Sequence, residues 1–319
     1  MKFARSLIFA FIAIFGLAST ELVSTTNYTE KLFSVDLIET KKYTVNGNTV
    51  TIDMIYLDGT CSGKYFGGNL IYDDSSTVVK TFKDGRIESV ARYYINGTDF
   101  DNVQSRIHIE DILVGYDILN RPITKPNIIT EVDELTWLHT ADVIGIVKKN
   151  EVGYHIDYMW NKQGKKSYPP AITPEVSGEY TKKVLTIDVE IPGAGWADVF
   201  GNGAGVRKLG FTCSSNTTVF QGVGADYFVD TRYNYEGQKQ LISARYIIIG
   251  KDDEGKDMSI YVENEGTDDF GDNKNVQTKP FIVTDNPKWA WIESAPLHGT
   301  HSDVALQIFF WTVEGADKN

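Results

Sequence analysis

The chain has 319 residues, 42% of them hydrophobic and 23% charged, and a formal net charge of −12. This acidic balance argues against nucleic acid and anionic membrane surfaces as partners. Because a negative surface also keeps many secreted proteins in solution, the charge excludes partners without identifying one.

The N-terminus has the organisation of a secretory signal. Basic residues precede an apolar run over 7–17, and the small residues Ala18 and Ser19 follow it. The run is about half as long as a membrane-spanning helix, and no other segment is apolar enough to span a bilayer. We therefore predict a signal peptide over 1–20, a location in the secretory pathway or outside the cell, and no membrane span.

Asn-x-Ser/Thr triplets agree with entry into the secretory pathway. They predict N-glycosylation at Asn27, Asn96 and Asn216, since such triplets are acceptors in secreted proteins. Because triplets of this kind also arise by chance, their weight comes from their agreement with the signal.

Downstream of the signal, nearly every periodic stretch alternates as a β-strand does. The clearest stretches, rich in β-branched and aromatic residues, are 50–56, 106–112, 154–160, 258–263 and 306–311. Turn signals such as Asp84-Gly85 separate the stretches, as expected for short strands. The pattern indicates an all-β antiparallel sandwich or barrel, and closure without exposed edges favours the barrel.

The chain contains two copies of one unit. Ala91–Tyr93, with sequence ARY, recurs as Ala244–Tyr246 at a shift of 153. Thr124–Pro126, with sequence TKP, recurs as Thr278–Pro280 at a shift of 154. A nearly constant offset over the whole length predicts one duplicated domain rather than a solenoid of many short repeats.

The duplication sets the domain boundaries. We predict two tandem antiparallel β-barrels, an N-terminal barrel over 21–160 and a C-terminal barrel over 183–319. The segment 161–182 between them is polar and contains three prolines, which is typical of a linker.

The two cysteines occupy nearly equivalent places in the copies, since Cys61 and Cys213 are 152 residues apart. In an oxidising compartment such a pair can form a disulfide that joins the two barrels near a pseudo-twofold axis. Two buried free thiols are the alternative. We expect the disulfide, and we expect no nucleophilic cysteine because no histidine motif accompanies either residue.

A motif near the end of each copy carries a family resemblance. Asp285–Ile292, with sequence DNPKWAWI, resembles the Asp-Pro-x-Tyr-x-Trp-Leu-Asn signature of a lipocalin-like barrel family allied to the AttH-like barrels. The first copy retains Leu135–Leu138, with sequence LTWL. Both copies depart from the signature, because His139 and Glu293 stand where its final Asn belongs.

With its signal, its sequons and its tandem copies, the chain also resembles fungal hetero-Diels–Alderases that join a tropolone o-quinone methide to a humulene-type alkene. The resemblance implies lipocalin-like barrels, apolar terpenoid and quinone methide substrates, and a pericyclic reaction without cofactor or metal. Such a catalyst has only to hold diene and alkene together and to donate a hydrogen bond to a carbonyl. We find no nucleophile elbow, metal-ligand set or phosphate-binding loop in the sequence.

Residues shared by the copies are the first candidates for a site. Arg92 and Arg245 lie in the middle of predicted strands. An inward-facing arginine there would donate to a substrate carbonyl, or it would form a structural bridge with Glu110 or Glu263. Aromatic residues of the repeat are candidates for the wall of a pocket, or else core residues; they are Tyr93, Tyr246, Trp137 and Trp291.

Residues that differ between the copies are the second group of candidates. His108 stands where the second copy has Tyr261, and His139 stands where it has Glu293. Two histidines in one cavity of the N-terminal barrel would donate a hydrogen bond or move a proton. Histidines of the surface or the core are the alternative. With the two arginines, these four residues complete our set of candidate catalytic residues.

Two other functions stay open beside a pericyclase. A non-catalytic carrier of apolar metabolites would use the same kind of cavity without accelerating a reaction. A secreted interaction module would have barrel interiors filled by side chains. The sequence leaves open which barrel holds the site, or whether the cleft between the barrels does.

Overall fold

The described part of the chain is almost entirely β-structure. The structure is a computed structural model that describes residues 21–71, 73, 75–151, 153–167, 179–192, 196–268, 276–302 and 306–318. The predicted signal peptide and residues 168–178 of the predicted linker lie outside these described residues. Within the described ranges, no helix is long and apolar enough to cross a membrane.

The described part of the N-terminal half contains antiparallel strands and a 3₁₀ helix over Asp133–Thr140. Its strands are β1 (Glu30–Asn46), β2 (Val50–Gly63), β3 (Phe66–Leu70), β4 (Ser76–Phe82), β5 (Ile87–Asp99), β6 (Gln104–Tyr116), β7 (Pro122–Thr130), β8 (Ala141–Lys149) and β9 (Tyr154–Lys165). The last strand therefore continues five residues into the segment that we predict as a linker.

The C-terminal half repeats this order, with 3₁₀ helices over Pro287–Glu293 and Ala316–Lys318. Its strands are β10 (Lys182–Glu190), β11 (Trp196–Gly201), β12 (Ala204–Asn216), β13 (Phe220–Gly224), β14 (Phe228–Tyr235), β15 (Gln240–Asp252), β16 (Asp257–Asp268), β17 (Gln277–Thr284), β18 (Leu297–His301) and β19 (Gln307–Thr312).

Each half closes into a ring of hydrogen-bonded strands. In the N-terminal half the order runs β1-β9-β8-β7-β6-β5, then β3 and β4 each pair with both β5 and β2, and β2 returns to β1. In the C-terminal half, β13 and β14 take the same place between β15 and β12, and β12 returns to β10. The predicted all-β class and the two tandem antiparallel barrels are confirmed.

The register of the strands repeats together with the sequence. Arg92 on β5 lies opposite Glu110 on β6, and Arg245 on β15 lies opposite Glu263 on β16. Because the same pairs face each other in both barrels, each position of one barrel has a structural counterpart in the other.

The barrels pack side by side through an interface with pseudo-twofold symmetry. A buried apolar cluster joins Tyr94 and Ile129 of the N-terminal barrel to Val199 and Val206 of the C-terminal barrel. The counterparts of these residues also pack together; they are Ile247 and Val283 against Val45 and Ile52. Each barrel therefore offers the same patch to the other, which is the arrangement of an isologous interface.

Two buried arginines reach across this interface in a reciprocal way. Arg92 Nη1 donates to the carbonyl oxygen of Ser243 at 3.2 Å, and Arg245 Nη1 donates to that of Val90 at 3.3 Å. Val90 and Ser243 are themselves counterparts, because both stand two residues before the arginine. The arginines thus bridge each barrel to the backbone of the other.

Each arginine is neutralised by a glutamate of its own barrel. Nε of Arg92 lies 2.9 Å from Glu110 Oε1, and Nε of Arg245 lies 2.9 Å from Glu263 Oε1. Burial opposes the ionisation of Glu110, but the charges of Arg92 and Arg245 outweigh it and hold the pKa of Glu110 below its usual value. The cluster is therefore ionised in the folded protein.

The structure does not contain the predicted disulfide. Cys61 and Cys213 are free thiols, 5% and 6% exposed. Cys61 lies in the apolar core of the N-terminal barrel, whereas Cys213 lies in the separate core of the C-terminal barrel. Equivalent positions in two side-by-side barrels lie inside two different cores, so equivalence in the repeat does not bring the sulfurs together.

Arg92→Met tests the ionic cluster. We expect it to lower the free energy of unfolding by about 3 kcal/mol or more, because it leaves the carboxylate of Glu110 buried without its ion-pair partner. Urea unfolding followed by tryptophan fluorescence measures the change. Arg86→Met is the matched control, since Arg86 pairs with Glu88 at an exposed site and should change stability by about 1 kcal/mol or less. Equal effects of the two substitutions would contradict the role given to the cluster.

A thiol assay tests the free cysteines. Burial raises the pKa of Cys61 and of Cys213 to about 12, and thiolate is the reactive form. We expect no reaction of the folded protein with Ellman's reagent at about pH 8, and reaction of both cysteines after unfolding in guanidinium chloride. Recovery of a Cys61–Cys213 peptide in non-reducing mass mapping would instead support the disulfide.

Candidate functional site

The N-terminal barrel encloses an apolar cavity of about 430 Å³. Alternate residues of β5 form one wall, from Ile87 through Ser89 and Ala91 to Tyr93. Further apolar walls are supplied by Leu37, Leu57, Val79, Leu113, Val147 and Ile156. This volume lies within the range of about 300–1,000 Å³ that is usual for small-molecule sites.

Polar residues mark the two ends of the cavity. The residues next to the turns that end β6 and β8 are polar and include Asn120, Arg121 and Lys149, so we place the mouth there. Farther along the strands, Asp111 on β6 and Tyr93 on β5 lie in the wall, and both are 2% exposed. They form the inner end.

Asp111 is held by a neighbouring phenol. Tyr158 donates from its hydroxyl to Asp111 Oδ2 at 2.8 Å, and Oδ1 has no hydrogen-bond partner among the described residues. Burial raises the pKa of Asp111 to about 6. Burial also lowers the pKa of the nearby Lys166 to about 8. The inner end therefore combines an acid of unusual pKa with an apolar wall, a pairing that is frequent at functional sites.

The second barrel lacks this acid and this phenol. Asn264 is the counterpart of Asp111, because each is the residue after the glutamate that faces the interface arginine. Phe310 is the counterpart of Tyr158, since Leu185 and Phe33 pair with them in equivalent strands. The polar pair is thus specific to the N-terminal barrel.

Charged residues stand in the second barrel where the N-terminal cavity has part of its wall. Arg232 replaces Val79 and Asp230 replaces Thr77, as the pairing of β14 with β15 shows. Arg232 donates from Nε to Asp230 at 2.8 Å. The two barrel interiors have therefore diverged in chemistry although their strands correspond.

Among the predicted site residues, Tyr93 lines the cavity. Arg92 precedes it on β5 and points to the opposite face, where it belongs to the ionic cluster at the interface. Arg245 has the equivalent place on the other side. Both arginines take the structural alternative considered for them, since their partners are protein atoms.

The two predicted histidines do not share a cavity. His108 is fully buried at the interface, with Nε2 3.2 Å from the hydroxyl of Tyr233. Burial, Lys208 and Arg92 hold its pKa well below the usual value. His139 lies elsewhere on the interface, with Nδ1 3.1 Å from the carbonyl oxygen of Asn202. The expectation that both histidines project into one cavity is wrong.

His139 and Glu293, which differ between the copies, also both lie at the interface. Glu293 accepts from the backbone N–H groups of Asn48 and Thr49 at 2.6 and 2.7 Å. Asn48 and Asn202 are counterparts in the repeat, 154 residues apart. His139 and Glu293 therefore make equivalent contacts with the hairpin tip of the opposite barrel, using different chemistry.

The remaining predicted aromatic residues pack in or against the cores. Tyr246 and Tyr261 are buried in the C-terminal core, and their hydroxyls have no hydrogen-bond partner among the described residues. Trp137 packs against Trp160, with 4.4 Å between ring centroids. Trp291 is partly buried against the C-terminal core. None of the four lines the N-terminal cavity.

A second space of about 400 Å³ lies between the barrels. Its walls include Lys80 and Glu88 from one barrel and Glu263, Lys279 and Glu293 from the other. Lys80 forms an ion pair with Glu263. Charged groups that already pair across the interface line this cleft, so it is less suited to an apolar ligand than the N-terminal cavity.

The three asparagines of the predicted sequons are exposed; they are Asn27, Asn96 and Asn216. In the ranges that the structure describes, no group of three or more His, Cys, Asp or Glu side chains is arranged to hold a metal ion.

Neither a family model nor a curated protein sequence matches this chain. Solved structures share similarity over 41% of it. One is a protein of unknown function from Clostridium acetobutylicum, 19% identical over 94% of its own length with a TM-score of 0.35. Another is an enzyme from Penicillium herquei, 21% identical over 92% of its length with a TM-score of 0.34. A third is a conserved protein of unknown function from Rhodopseudomonas palustris, 15% identical over 95% with a TM-score of 0.34.

Asp111→Asn tests the pKa of the acid in the cavity. A carboxyl whose pKa is higher in the folded than in the unfolded state stabilises the fold when protonated, and this contribution is lost as pH rises from about 4 to about 6. We therefore expect the unfolding free energy of the variant, relative to wild type, to rise by about 3 kcal/mol over that window. Urea unfolding at several pH values measures it, and a difference that does not vary with pH would contradict the assignment.

Proposed function

We propose that the N-terminal barrel binds apolar small molecules and acts as a cofactor-independent hetero-Diels–Alderase. Its substrates would be a tropolone o-quinone methide and a humulene-type alkene, as the sequence resemblance implies. The observation that carries the proposal is the apolar 430 Å³ cavity with a polar inner end. We further propose that the protein is secreted and works as a pericyclase of fungal secondary metabolism.

The chemistry asks little of the protein beyond binding. The four-atom unit of the quinone methide, which ends in its carbonyl oxygen, adds across the alkene, and one C–C and one C–O bond form without a leaving group. Holding both reactants in contact supplies the entropy of their encounter. A hydrogen bond to the carbonyl oxygen stabilises the charge that develops there.

The cavity has groups for both tasks. Leu37, Leu57 and Ile156 offer apolar contact to an alkene. Tyr93 adds an aromatic wall at the inner end, where Asp111 is the polar group beside a carbonyl oxygen that enters first. A reactant pair that enters with the oxygen first would be oriented by these contacts.

A non-catalytic carrier is the second candidate function. It is favoured by the position of the predicted catalytic residues, because Arg92, His108, His139 and Glu293 contact protein groups at the interface rather than the cavity. A carrier needs the apolar cavity and no reacting group.

A matched pair of substitutions on β6 tests the cavity as the binding site. Leu113 lines the cavity, whereas its neighbour Ile112 is 41% exposed on the other face of the strand. We expect Leu113→Trp to fill part of the cavity and to weaken binding of α-humulene at least ten-fold in equilibrium dialysis. Ile112→Trp adds the same side chain outside and should leave binding unchanged. Equal binding by both variants would exclude this cavity.

The reaction itself separates the two candidate functions. Purified protein is incubated with humulenol and an o-quinone methide generated in the same solution, and the adducts are quantified with their stereochemistry. A pericyclase raises the rate and favours one stereoisomer, and Leu113→Trp removes both effects. Tight binding with the rate and isomer ratio of buffer would select the carrier.

A further inference from the structure

One acid in the cavity wall is left with an unused oxygen. Asp111 follows Ile109 on the inward face of β6, and Leu113 comes next on the same face. Its Oδ2 is engaged by Tyr158 at 2.8 Å, whereas Oδ1 has no hydrogen-bond partner among the described residues. A buried polar atom without a partner is destabilising, and Asp111 lines the cavity, so a ligand there lies beside its carboxyl group.

We propose that Asp111 acts as a neutral acid that donates a hydrogen bond from Oδ1 to a carbonyl or quinone oxygen of the ligand. The cavity then selects apolar molecules that carry one such oxygen at the end that enters first. This inference rests on the proposed function, because it requires a ligand in the N-terminal cavity.

The hydrogen-bond inventory of the site fits this assignment. A protonated carboxyl has one oxygen that accepts and one that donates. The hydroxyl of Tyr158 donates to Oδ2, which makes Oδ2 the accepting oxygen and leaves Oδ1 to carry the proton. Tyr158 thereby orients the acid, and it is a positioning residue rather than a catalytic one.

The groups that face Asp111 are neutral apart from one lysine. Tyr158 comes from β9, Tyr93 from β5 and Thr124 from β7. Lys166, just beyond β9, is the nearby cation, and its Nζ donates to the carbonyl oxygen of Pro126 at 2.5 Å. Other charged groups of this cavity lie toward its mouth; they are Glu39, Arg121, Lys148 and Lys149.

Burial dominates the titration of this acid. Burial raises the pKa of Asp111 to about 6, although Thr124, Tyr158 and Lys166 oppose the rise. An apolar ligand would remove the remaining water and favour the neutral form further. A carboxyl kept neutral by apolar surroundings is an effective hydrogen-bond donor, as ketosteroid isomerase illustrates.

The duplication supplies an internal reference for the site. Asn264 and Phe310 occupy the counterpart positions of Asp111 and Tyr158, and both are buried. Strand pairing does not require the acid or the phenol, since the second barrel forms equivalent strands without them. The pair is therefore a feature of the cavity rather than of the barrel.

The test compares two probes of nearly equal shape. One is 2-acetylnaphthalene, and the other is 2-isopropenylnaphthalene, in which a methylene group replaces the carbonyl oxygen. Equilibrium dialysis against the full chain gives both affinities, each corrected for the partition of the probe into octanol. At about pH 5 we expect the ketone to bind roughly ten-fold more tightly. The preference should disappear at about pH 8, where the carboxylate no longer donates.

Three variants test whether the preference for the ketone depends on Asp111. Asp111→Leu removes the donor and should abolish the preference while the hydrocarbon still binds. Asp111→Asn keeps a donor in the form of an amide, so it should retain a preference that no longer depends on pH. Tyr158→Phe should weaken the preference, because the acid loses the group that orients it. Circular dichroism checks folding, and if Asp111→Leu does not fold, the pH profile of Asp111→Asn against wild type decides.

The outcomes separate this inference from the function on which it rests. A ketone preference that survives in Asp111→Leu, or that is the same at about pH 5 and about pH 8 in wild type, would overturn the role of Asp111 and leave the cavity as a binding site. Binding of neither probe by the wild-type protein would overturn both the binding function and this inference.

Discussion

A reciprocal pair of buried arginines sets the arrangement of this molecule. Arg92 and Arg245 each bind a carbonyl oxygen of the other barrel and a glutamate of their own. A guanidinium removed from water needs such partners on several sides, and the observed arrangement of the barrels provides them twice. Because the arginines lie on the outer face of β5 and β15, the inner face of each strand is left free for a different purpose.

The inner faces of these strands carry different residues in the two barrels. The inner face of β5 and β6 carries Tyr93 and Asp111 in the wall of an apolar cavity, with Tyr158 hydrogen-bonded to the acid. The second barrel has Phe310 for the phenol, and a charged pair, Asp230 with Arg232, where the first has Thr77 and Val79. The same fold therefore forms an apolar cavity suited to a ligand in one barrel and an interior that contains a charged pair in the other.

The fold was accessible from sequence because its signals are local and repeated. Alternation and turn residues predict antiparallel barrels, the constant offset predicts two of them in tandem, and the structure agrees. The site was harder, because the interface is a contact between distant segments. His108 and His139 differ from their counterparts for reasons of packing across that interface. Asp111 had a visible signal, an acid in register with Ile107 and Ile109 on an inward face, but only the cavity shows that this face borders empty space.

The symmetry of the interface has a consequence for how the two barrels can change, because both are part of one polypeptide. Identical patches in a twofold arrangement are how two separate single-barrel subunits would associate, and two identical subunits must change together at every position. On one polypeptide each partner can mutate alone. His139 and Glu293 exemplify this independence, since each holds the opposite hairpin tip in its own way. Covalent linkage thus allows the two barrels of a symmetric pair to differ, as the subunits of a heterodimer do. One barrel can specialise while the other preserves the contact surface.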